Sequence, residues 1–265
     1  MVEIFGLDLT EWESRGYWDS AYTPFSFFDG RKVVSNVCVY SLDAVVKGRT
    51  TRLAQISAVG TLPEWRRRGL SKQLTEIALS WARERHDGVF LFADSEAIPL
   101  YEACGFRAMD EHVELVTARP LSRTGRLVKL DPGDEHHLAR IYDYARRRTA
   151  ISNLLGVLSA KLLVFHALHS LRNHVYEIPD LDCIVLFTRE RGSLKILDIV
   201  GETVPQLDDL YPYVADESDR TIELHFHGDK LELEDAERRP LHGNNPFVVD
   251  PFPVENPIFP FTSRA

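Results

Sequence analysis

The most informative segment for the fold class is QISAVGTLPEWRRRGLSKQL, residues 55–74. It begins with an apolar run typical of a strand, passes through a turn that contains proline, and reaches three successive arginines and a glycine. A helical pattern follows, because apolar residues recur at the spacing of one helix face, at Leu70, Leu74, Ile77, Ala78 and Trp81. A strand, a tight basic turn and an amphipathic helix in this order predict an α/β fold.

The turn between this strand and helix has the composition of an anion-binding loop. Backbone N–H groups at a helix N-terminus point outward, and the helix dipole adds partial positive charge there. Gly69 would let a phosphate approach the backbone closely, and the preceding arginines add full positive charges. The sequence contains neither G-x-x-x-x-G-K-[ST] nor a G-x-G-x-x-G that follows a strand, which argues against nucleotide triphosphate and dinucleotide loops. The alternative interpretation is a basic surface loop.

A second informative segment, SEAIPLYEACGF, covers Ser95–Phe106. It follows Val89–Ala93, a continuous apolar run that is too short for a helix and predicts a buried strand. Tyr101 then lies on a short predicted helix that Gly105 ends. Sites in α/β proteins form at the carboxyl ends of such strands, so Tyr101 is a candidate functional residue, with simple ring packing as the alternative.

Together the two segments resemble the GNAT superfamily of acetyl-CoA-dependent N-acyltransferases, over about residues 25–118. The family's pyrophosphate loop, Q/R-x-x-G-x-G/A, corresponds to Arg66–Ser71, with serine in place of the last small residue. The family's later motif, N-x-x-A-x-x-L/F-Y-E-x-x-G-F, has an aspartate in place of its asparagine. Asp94 occupies that position, and the remaining positions are matched by Ala97, Leu100, Tyr101, Glu102, Gly105 and Phe106. The resemblance implies the GNAT acyl-CoA N-acyltransferase fold, an α/β fold with a mixed sheet.

The resemblance also implies a role for each matched position. The backbone near Val59 and Thr61 would hold the pantetheine arm, and an N–H group near Val59 would stabilise the oxyanion of the tetrahedral intermediate. Tyr101 would be the catalytic acid that protonates the departing coenzyme A thiolate. The full set of implied cofactor-binding residues is Val59, Thr61, Arg66, Arg67, Arg68, Gly69, Leu70, Ser71 and Asp94.

The general base is not identified by the resemblance. Many family members place a glutamate eleven residues before the pyrophosphate loop, where this sequence has Gln55, which is a poor proton acceptor. Glu64, Asp94 and Glu96 lie nearby in sequence. The carboxylate of Ala265 is a further, speculative candidate.

The chain predicts two domains, residues 1–119 and 120–265, joined by a polar basic linker. The second half shows a hairpin (Cys183–Thr188 and Leu194–Val200), a helix (Leu207–Val214) and a strand (Thr221–His227). This order resembles a degenerate GNAT-like unit. The segment VGETVPQLDD, residues 200–209, replaces the pyrophosphate loop with acidic residues, so this half is not expected to bind coenzyme A. The segments Trp18–Val37 and Phe259–Ala265 resemble the corresponding segments of a narrower, mostly uncharacterised GNAT group.

Two further segments of the second half are apolar. Ile151–Leu171 predicts one buried helix, and the proline-rich tail Leu241–Ala265 predicts a segment ordered by packing rather than by regular structure. Few residues precede the first predicted strand, so the first sheet would leave an edge or a face exposed. We expect the apolar helix and the tail to cover it and to help shape the acceptor pocket.

Composition narrows the functional classes. The 265-residue chain has a formal net charge of −9, which argues against nucleic-acid binding. We expect no membrane partner, since no apolar run reaches the roughly 20 uncharged residues of a span. Three widely spaced cysteines predict a cytoplasmic protein without disulfides or a zinc site. The pairs His225/His227 and His166/His169 lack further ligands at metal spacing, so no metal is expected.

The sequence therefore predicts an N-acetyltransferase that moves the acetyl group of acetyl-CoA to a primary amine of a small molecule or peptide. The alternative is a non-catalytic acyl-CoA sensor or scaffold on the same fold. Nothing in the sequence identifies the amine. The oligomeric state is left open, a homodimer being one option.

Overall fold

The computed structural model describes residues 8–18, 20–233, 235–241, 243 and 245–265. The first half begins with a helix and a three-stranded meander and continues with two helix–strand units. Its elements are α1 (Thr10–Ser14), β1 (Tyr22–Asp29), β2 (Lys32–Val46), β3 (Arg49–Thr61), α2 (Leu70–Arg83), β4 (Gly88–Phe92), α3 (Ile98–Ala103) and β5 (Arg107–Ala108). Short 3-10 turns at Pro63–Trp65 and Ser95–Ala97 precede α2 and α3.

The described residues from position 112 onward contain nine strands and three helices. They are β6 (His112–Thr117), β7 (Val128–Lys129), α4 (Glu135–Arg147), β8 (Leu155–Val157), α5 (Ala160–Leu168), β9 (Val175–Ile178), β10 (Cys183–Glu190), β11 (Ser193–Gly201), α6 (Leu207–Val214), β12 (Thr221–Leu224), β13 (Glu237–Pro240) and β14 (Pro246–Val249). The chain also forms 3-10 turns at Pro179–Leu181 and Phe261–Ser263.

These strands form two seven-stranded mixed sheets. The first has the order β1-β2-β3-β4-β14-β5, with β8 paired to the far end of β2, and the second has the order β13-β6-β12-β11-β10-β9-β7. In each sheet an antiparallel hairpin is followed by a helix and by a strand parallel to the second hairpin strand: β2–β3, α2 and β4 in one, β10–β11, α6 and β12 in the other. The predicted α/β class with a mixed sheet and the repeated order of elements are confirmed.

Turn chemistry explains the first meander. Gly30 (φ +59°) lies in the turn between β1 and β2, and Lys47 (φ +48°) and Gly48 (φ +74°) lie between β2 and β3. Lys47 and Gly48 are two successive left-handed residues, which is the backbone that matches the twist of a two-residue hairpin. Both turns join antiparallel strands, β1 to β2 and β2 to β3.

The predicted helix over Ile151–Leu171 is wrong. The segment forms β8 and α5, separated by a short loop. The side chain of Asp229 accepts hydrogen bonds from the Ser152 hydroxyl and the Asn153 N–H, which holds residues 152–153 in a non-helical turn. β8 then pairs with Ala44–Val46, the end of β2 that β1 does not reach. An apolar run has the same composition in a buried strand and a buried helix, so the sequence alone did not separate them.

The prediction of an irregular tail is also partly wrong. Residues 246–249 form β14, which lies between β4 and β5 in the first sheet. Strand β6, from the end of the first half, lies instead between β12 and β13 in the second sheet. Each sheet thus contains a strand from the other side of residue 119. The division at residues 119 and 120 stays a prediction about independent folding.

Helices fill the space around the first sheet. On one face, Leu74 and Ala78 of α2 pack against strand residues such as Ile56. On the other, Leu162 of α5 and Phe259 of the tail join strand residues in a second apolar cluster. α5 also contributes to a cluster with the second sheet, so it is apolar on all sides and lies between the sheets. No helix in the described ranges is long and apolar enough to cross a membrane.

Candidate active site

A cavity of about 400 Å³ opens where β3 and β4 separate. The two parallel strands are in register only from Leu53 opposite Gly88 to Gln55 opposite Phe90, while β3 continues to Thr61. The cavity is lined by Gln55, Ile56, Ser57, Ala58, Val59, Phe92, Ala93, Asp94, Tyr101, Gly243, Arg264 and Ala265. Three of the predicted site residues, Val59, Asp94 and Tyr101, are therefore brought to one place.

An irregularity in β3 shapes the strand side of this cavity. The register between β2 and β3 shifts after Asn36, and Ala58 has a left-handed backbone with φ +49°. The Asn36 side chain donates a hydrogen bond to the Ala58 carbonyl at 3.2 Å. A bulge next to a cavity redirects backbone groups away from the sheet ladder, which makes them available to a ligand.

The predicted anion-binding loop lies beyond the cavity, between β3 and α2. Gly69 is the N-cap of α2 with φ +77°, and no described side chain caps that helix end. A Cβ at this position would approach only the Gln73 amide nitrogen, at 3.9 Å, so glycine is required by the backbone angle and not by space. Leu70 and Ser71 form the first turn of the helix, where N–H groups lack intrahelical partners.

The three arginines of the loop are exposed and two of them also brace it. Arg66 Nε donates to the Thr61 carbonyl at 3.2 Å. Arg68 donates to the Glu64 carbonyl at 3.1 Å, and its guanidinium lies 4.5 Å from the centre of the Trp65 ring. Arg67 has φ +60°, a conformation uncommon for a residue with a side chain.

A chain of hydroxyl groups joins this loop to the strands. Ser71 Oγ lies 2.7 Å from Thr61 Oγ1, which lies 2.8 Å from Ser35 Oγ on β2. Ser35 donates to the Gly60 carbonyl at 3.2 Å, so Thr61 donates to Ser35 and Ser71 donates to Thr61. The serine that departs from the small residue of the family motif therefore anchors α2 to the end of β3.

Tyr101 lies on α3 and faces the cavity with a side chain that is only 6% exposed. Its ring packs edge-on against Phe106, with 6.0 Å between ring centres. Burial, and to a smaller extent the nearby Asp94 carboxylate, raises the pKa of Tyr101 to about 12. The phenol thus keeps its proton at neutral pH and is available as a donor.

The wall opposite Tyr101 is formed by Gln55 and by the end of the tail. Gln55 is 2% exposed. Its side-chain nitrogen donates to the backbone oxygen of Ala265 and its side-chain oxygen accepts from the Ala265 N–H, both at 2.8 Å. Glu64, Asp94 and Glu96 are the side-chain candidates for the general base. Of these three, Asp94 alone lines the cavity. Glu64 is exposed and paired with Lys32 at 3.2 Å.

Arg264 is the charged group of this wall. Its guanidinium donates to Glu111 at 2.7 Å and lies 4.6 Å from the centre of the Phe92 ring. Glu111 is buried and also accepts from the Phe259 N–H at 3.4 Å. Arg264 and Glu111 cannot be identified as site residues from the sequence, because 153 positions separate them and neither lies in a recognisable motif.

The histidine pairs considered as metal ligands have structural contacts. His166 Nε2 donates to the Arg264 carbonyl at 2.7 Å, and His227 Nε2 accepts from the Ile258 N–H at 3.0 Å, so both hold the tail. His225 contacts Glu223 at 2.7 Å, and His169 contacts the Phe165 carbonyl at 2.8 Å. Across the described ranges, no three His, Cys, Asp or Glu side chains are grouped to hold a metal ion.

The sequence model described as "Acetyltransferase (GNAT) domain" matches residues 8–109. This segment contains the cavity strands, the basic loop and Tyr101. Residues 8–109 are a GNAT acetyltransferase domain. No curated protein matches the chain significantly in sequence.

Solved structures share the fold of this GNAT domain and of the segment that follows it. A probable N-acyltransferase from Enterococcus faecalis is 14% identical with a TM-score of 0.57, and the alignment covers 93% of this chain and 67% of that one. A GCN5-related N-acetyltransferase from Anabaena variabilis is 15% identical with a TM-score of 0.56, over 93% and 67% of the two chains. A third, from Kribbella flavida, is 18% identical with a TM-score of 0.53, over 85% and 59%.

These similarities concern the fold. The chain spans about three fifths to two thirds of the length of those structures. The alignments extend over most of both sheets, whereas the match to the GNAT domain ends at residue 109. Arg264 and Ala265 therefore line the cavity of the GNAT domain from outside the matched segment, and Glu111 holds Arg264 in place.

Proposed function

We propose that this protein transfers the acetyl group of acetyl-CoA to a primary amine. The observation that carries the proposal is the cavity at the β3–β4 separation, where Tyr101 and the irregular part of β3 face each other. A basic loop and an uncapped helix end lie at the far end of the same strand. The GNAT match covers all of these features.

The features of the loop suit a diphosphate. N–H groups of Arg67 to Ser71 lie at the start of α2, where the helix dipole and the exposed arginines favour a negative charge. Backbone groups near Val59 and Thr61 would bind the pantetheine arm along the free edge of β3. The N–H near Val59 would stabilise negative charge on the carbonyl oxygen of the acetyl group.

In the proposed reaction the nitrogen of a neutral amine forms a bond to the acetyl carbon and the carbon–sulfur bond breaks. The electron pair of that bond leaves on sulfur, and Tyr101 delivers its proton there. The amine nitrogen releases one proton to water through the open cavity, and Tyr101 regains a proton from solvent. The acetyl group thus moves from sulfur to nitrogen and a proton takes its place on sulfur, without any net redox change.

We assign the second half a supporting role in this function. Its acidic segment Glu202–Asp209 stands where a pyrophosphate loop would lie, so we propose that it does not bind coenzyme A. The tail that follows it supplies Arg264 and Ala265 to the cavity, which supports a role in shaping the acceptor pocket. We further propose a cytoplasmic location, in keeping with the free cysteines Cys38, Cys104 and Cys183.

A thiol-release assay tests the proposal. Purified protein is mixed with acetyl-CoA and a panel of alkyl amines, aryl amines and peptides with free N-termini, and free coenzyme A is trapped by a chromogenic disulfide. Amine-dependent thiol release, with the acetylated amine seen by mass spectrometry, is the expected result. Tight acetyl-CoA binding without release for any amine would support the sensor function instead.

A further inference from the structure

Gln55 and Ala265 form a paired contact that resembles one rung of a β-ladder. Each bond joins a donor to an acceptor over 2.8 Å, and the glutamine side chain is almost fully buried. The two residues are 210 positions apart, so the contact closes the cavity with the far end of the chain. Buried polar side chains nearly always have hydrogen-bond partners, and Ala265 supplies them for Gln55.

The pairing requires an amide. A side-chain amide offers one acceptor for the Ala265 N–H and one donor for the Ala265 oxygen. A glutamate at position 55 would still accept from the Ala265 N–H, but it would turn a second oxygen toward the Ala265 oxygen. That arrangement loses one hydrogen bond and places two acceptors in contact in a buried site.

Other contacts fix the neighbouring residue. His166 donates to the Arg264 carbonyl, and the Arg264 guanidinium is bonded to Glu111. The end of the tail is therefore held by β3 through Gln55, by α5 through His166, and by the segment before β6 through Glu111. Of these three contacts, the one made by Gln55 lies directly on the cavity.

We propose that Gln55 is a positioning residue, which seats Ala265 in the cavity wall and thereby sets the shape of the acceptor side of the site. Its position is the one at which many GNAT enzymes have a catalytic glutamate, yet in this chain the residue acts through the tail. This inference rests on the proposed acetyltransferase function for its effect on turnover. The seating of the tail itself does not depend on that function.

Two substitutions separate positioning from proton transfer. Gln55→Met keeps the length of the side chain and removes both hydrogen bonds, and Gln55→Glu keeps the acceptor while restoring the family's usual residue. Gln206→Glu is the matched control, since the Gln206 amide also donates to a backbone carbonyl, that of Lys230 at 3.2 Å, but outside the cavity.

The first measurement is hydrogen–deuterium exchange of the peptide that covers residues 259–265 in the full-length protein. We expect exchange to be faster by roughly tenfold or more in Gln55→Met, because the Ala265 N–H loses its acceptor. The increase should be smaller in Gln55→Glu, which keeps that acceptor and loses the bond to the Ala265 oxygen, and Gln206→Glu should not differ from the parent. Unchanged exchange in Gln55→Met would overturn the inference. This readout stands even if the parent protein proves to have no transferase activity.

The second measurement is thiol release between pH 5 and pH 8, with whichever panel amine the parent accepts, expressed as the ratio of variant to parent. We expect the ratio for Gln55→Glu to be highest at low pH, because a protonated carboxyl group again offers one donor and one acceptor to Ala265. The ratio should fall roughly tenfold or more as the carboxyl ionises. A ratio that rises with pH would show the introduced carboxylate acting as a base and would overturn the inference.

The ratio cancels the titration of groups that both proteins share. Those facing position 55 are the carboxylate of Ala265 in direct contact, Asp94 and Tyr101 across the cavity, Tyr40 on the neighbouring strand, and Arg264, Glu111 and His166 behind the tail. Acetyl-CoA affinity, measured by calorimetry, should be equal in parent and variants, because Gln55 lies away from the basic loop. Loss of acetyl-CoA binding in Gln55→Met would contradict a role confined to the acceptor side.

Discussion

Thr61 Oγ1 and Ser71 Oγ share a hydrogen bond of 2.7 Å, which ties the end of β3 to the first turn of α2. Thr61 is also bonded to Ser35 on β2, and its carbonyl accepts from Arg66. The strand that lines the cavity and the loop proposed to bind the diphosphate are therefore held in a fixed relation. Rigid placement of binding groups reduces the ordering cost of binding.

Thr61→Val should weaken acetyl-CoA binding about tenfold, because the isosteric side chain leaves Ser71 and Ser35 without their shared partner and loosens the loop. Calorimetric titration with acetyl-CoA measures the change. Thr51→Val is the control on the same strand, where the hydroxyl contacts only the nearby Arg49 carbonyl, and its affinity should equal the parent's. Equal acetyl-CoA affinities in the parent, Thr61→Val and Thr51→Val would show that the hydroxyl chain does not contribute to binding.

Gly69→Val should abolish measurable acetyl-CoA binding. A β-branched residue is strained at φ +77°, by roughly 1–2 kcal/mol or more, and it would place carbon where the diphosphate approaches the backbone. Gly30→Val is the matched control, since Gly30 has φ +59°, open space around its Cα and a place in a hairpin turn far from the loop. The control should lose similar stability and keep its affinity; parallel behaviour of the two variants would show a general folding defect.

A fragment that ends at Arg119 should not fold cooperatively. It lacks β14, which separates β4 from β5, and Phe259, whose ring stacks on Phe90 with 4.5 Å between centres. Removing them exposes the apolar face of the first sheet, leaves β5 without a strand partner and leaves one edge of β4 open. Thermal melting of the fragment, alone and co-expressed with residues 120–265, measures this. A soluble fragment that melts cooperatively and binds acetyl-CoA would show that the second half is an independent accessory domain.

Stability should fall as the pH drops from about 6.5 to about 4. Burial lowers the pKa of His166 and of His227 to about 4, whereas each would titrate near 6.5 in the unfolded chain. Between these values the unfolded state binds more protons, so acid favours unfolding, by at most about 3 kcal/mol for each histidine. Above about pH 6.5 both are neutral in both states and the effect is absent.

Urea unfolding at several pH values measures this dependence. His166→Gln keeps a donor for the Arg264 carbonyl and removes the titration, so its stability should vary less between pH 6.5 and pH 4 than the parent's. His136→Gln, on the exposed side of α4, is the control and should follow the parent. A variant His166→Gln with the parent's full pH dependence would contradict the account of the buried imidazole.

The parts of the fold that sequence predicted are those decided by local chemistry. Glycines in short turns, such as Gly30 and Gly48, are typical of hairpins. The periodicity of α2 and the short apolar run of β4 predict the strand–loop–helix order. The residues of the two GNAT motifs, which the resemblance located, lie in one region because that order places Val59, Asp94 and Tyr101 at one edge of the sheet. Their functional roles stay predictions.

Long-range contacts account for what sequence reasoning did not find. β8 is a strand because it pairs with the end of β2 that β1 does not reach. The apolar run Ile151–Leu171 does not by itself indicate that such a partner exists. The partners of Gln55 and Glu111 lie more than 150 residues away. Ser71 was noted as a departure from the motif, but its partners Thr61 and Ser35 depend on how β2, β3 and α2 converge.

The proton-donor role of Tyr101 is tested by comparing Tyr101→Phe with the parent protein in two measurements, acetyl-CoA affinity by calorimetry and amine-dependent thiol release. The substitution removes the hydroxyl from a buried ring and keeps its packing against Phe106. If Tyr101 delivers the proton to the leaving thiolate, affinity should stay within about twofold while turnover falls about 10²-fold or more. Equal turnover in the two proteins would contradict the account.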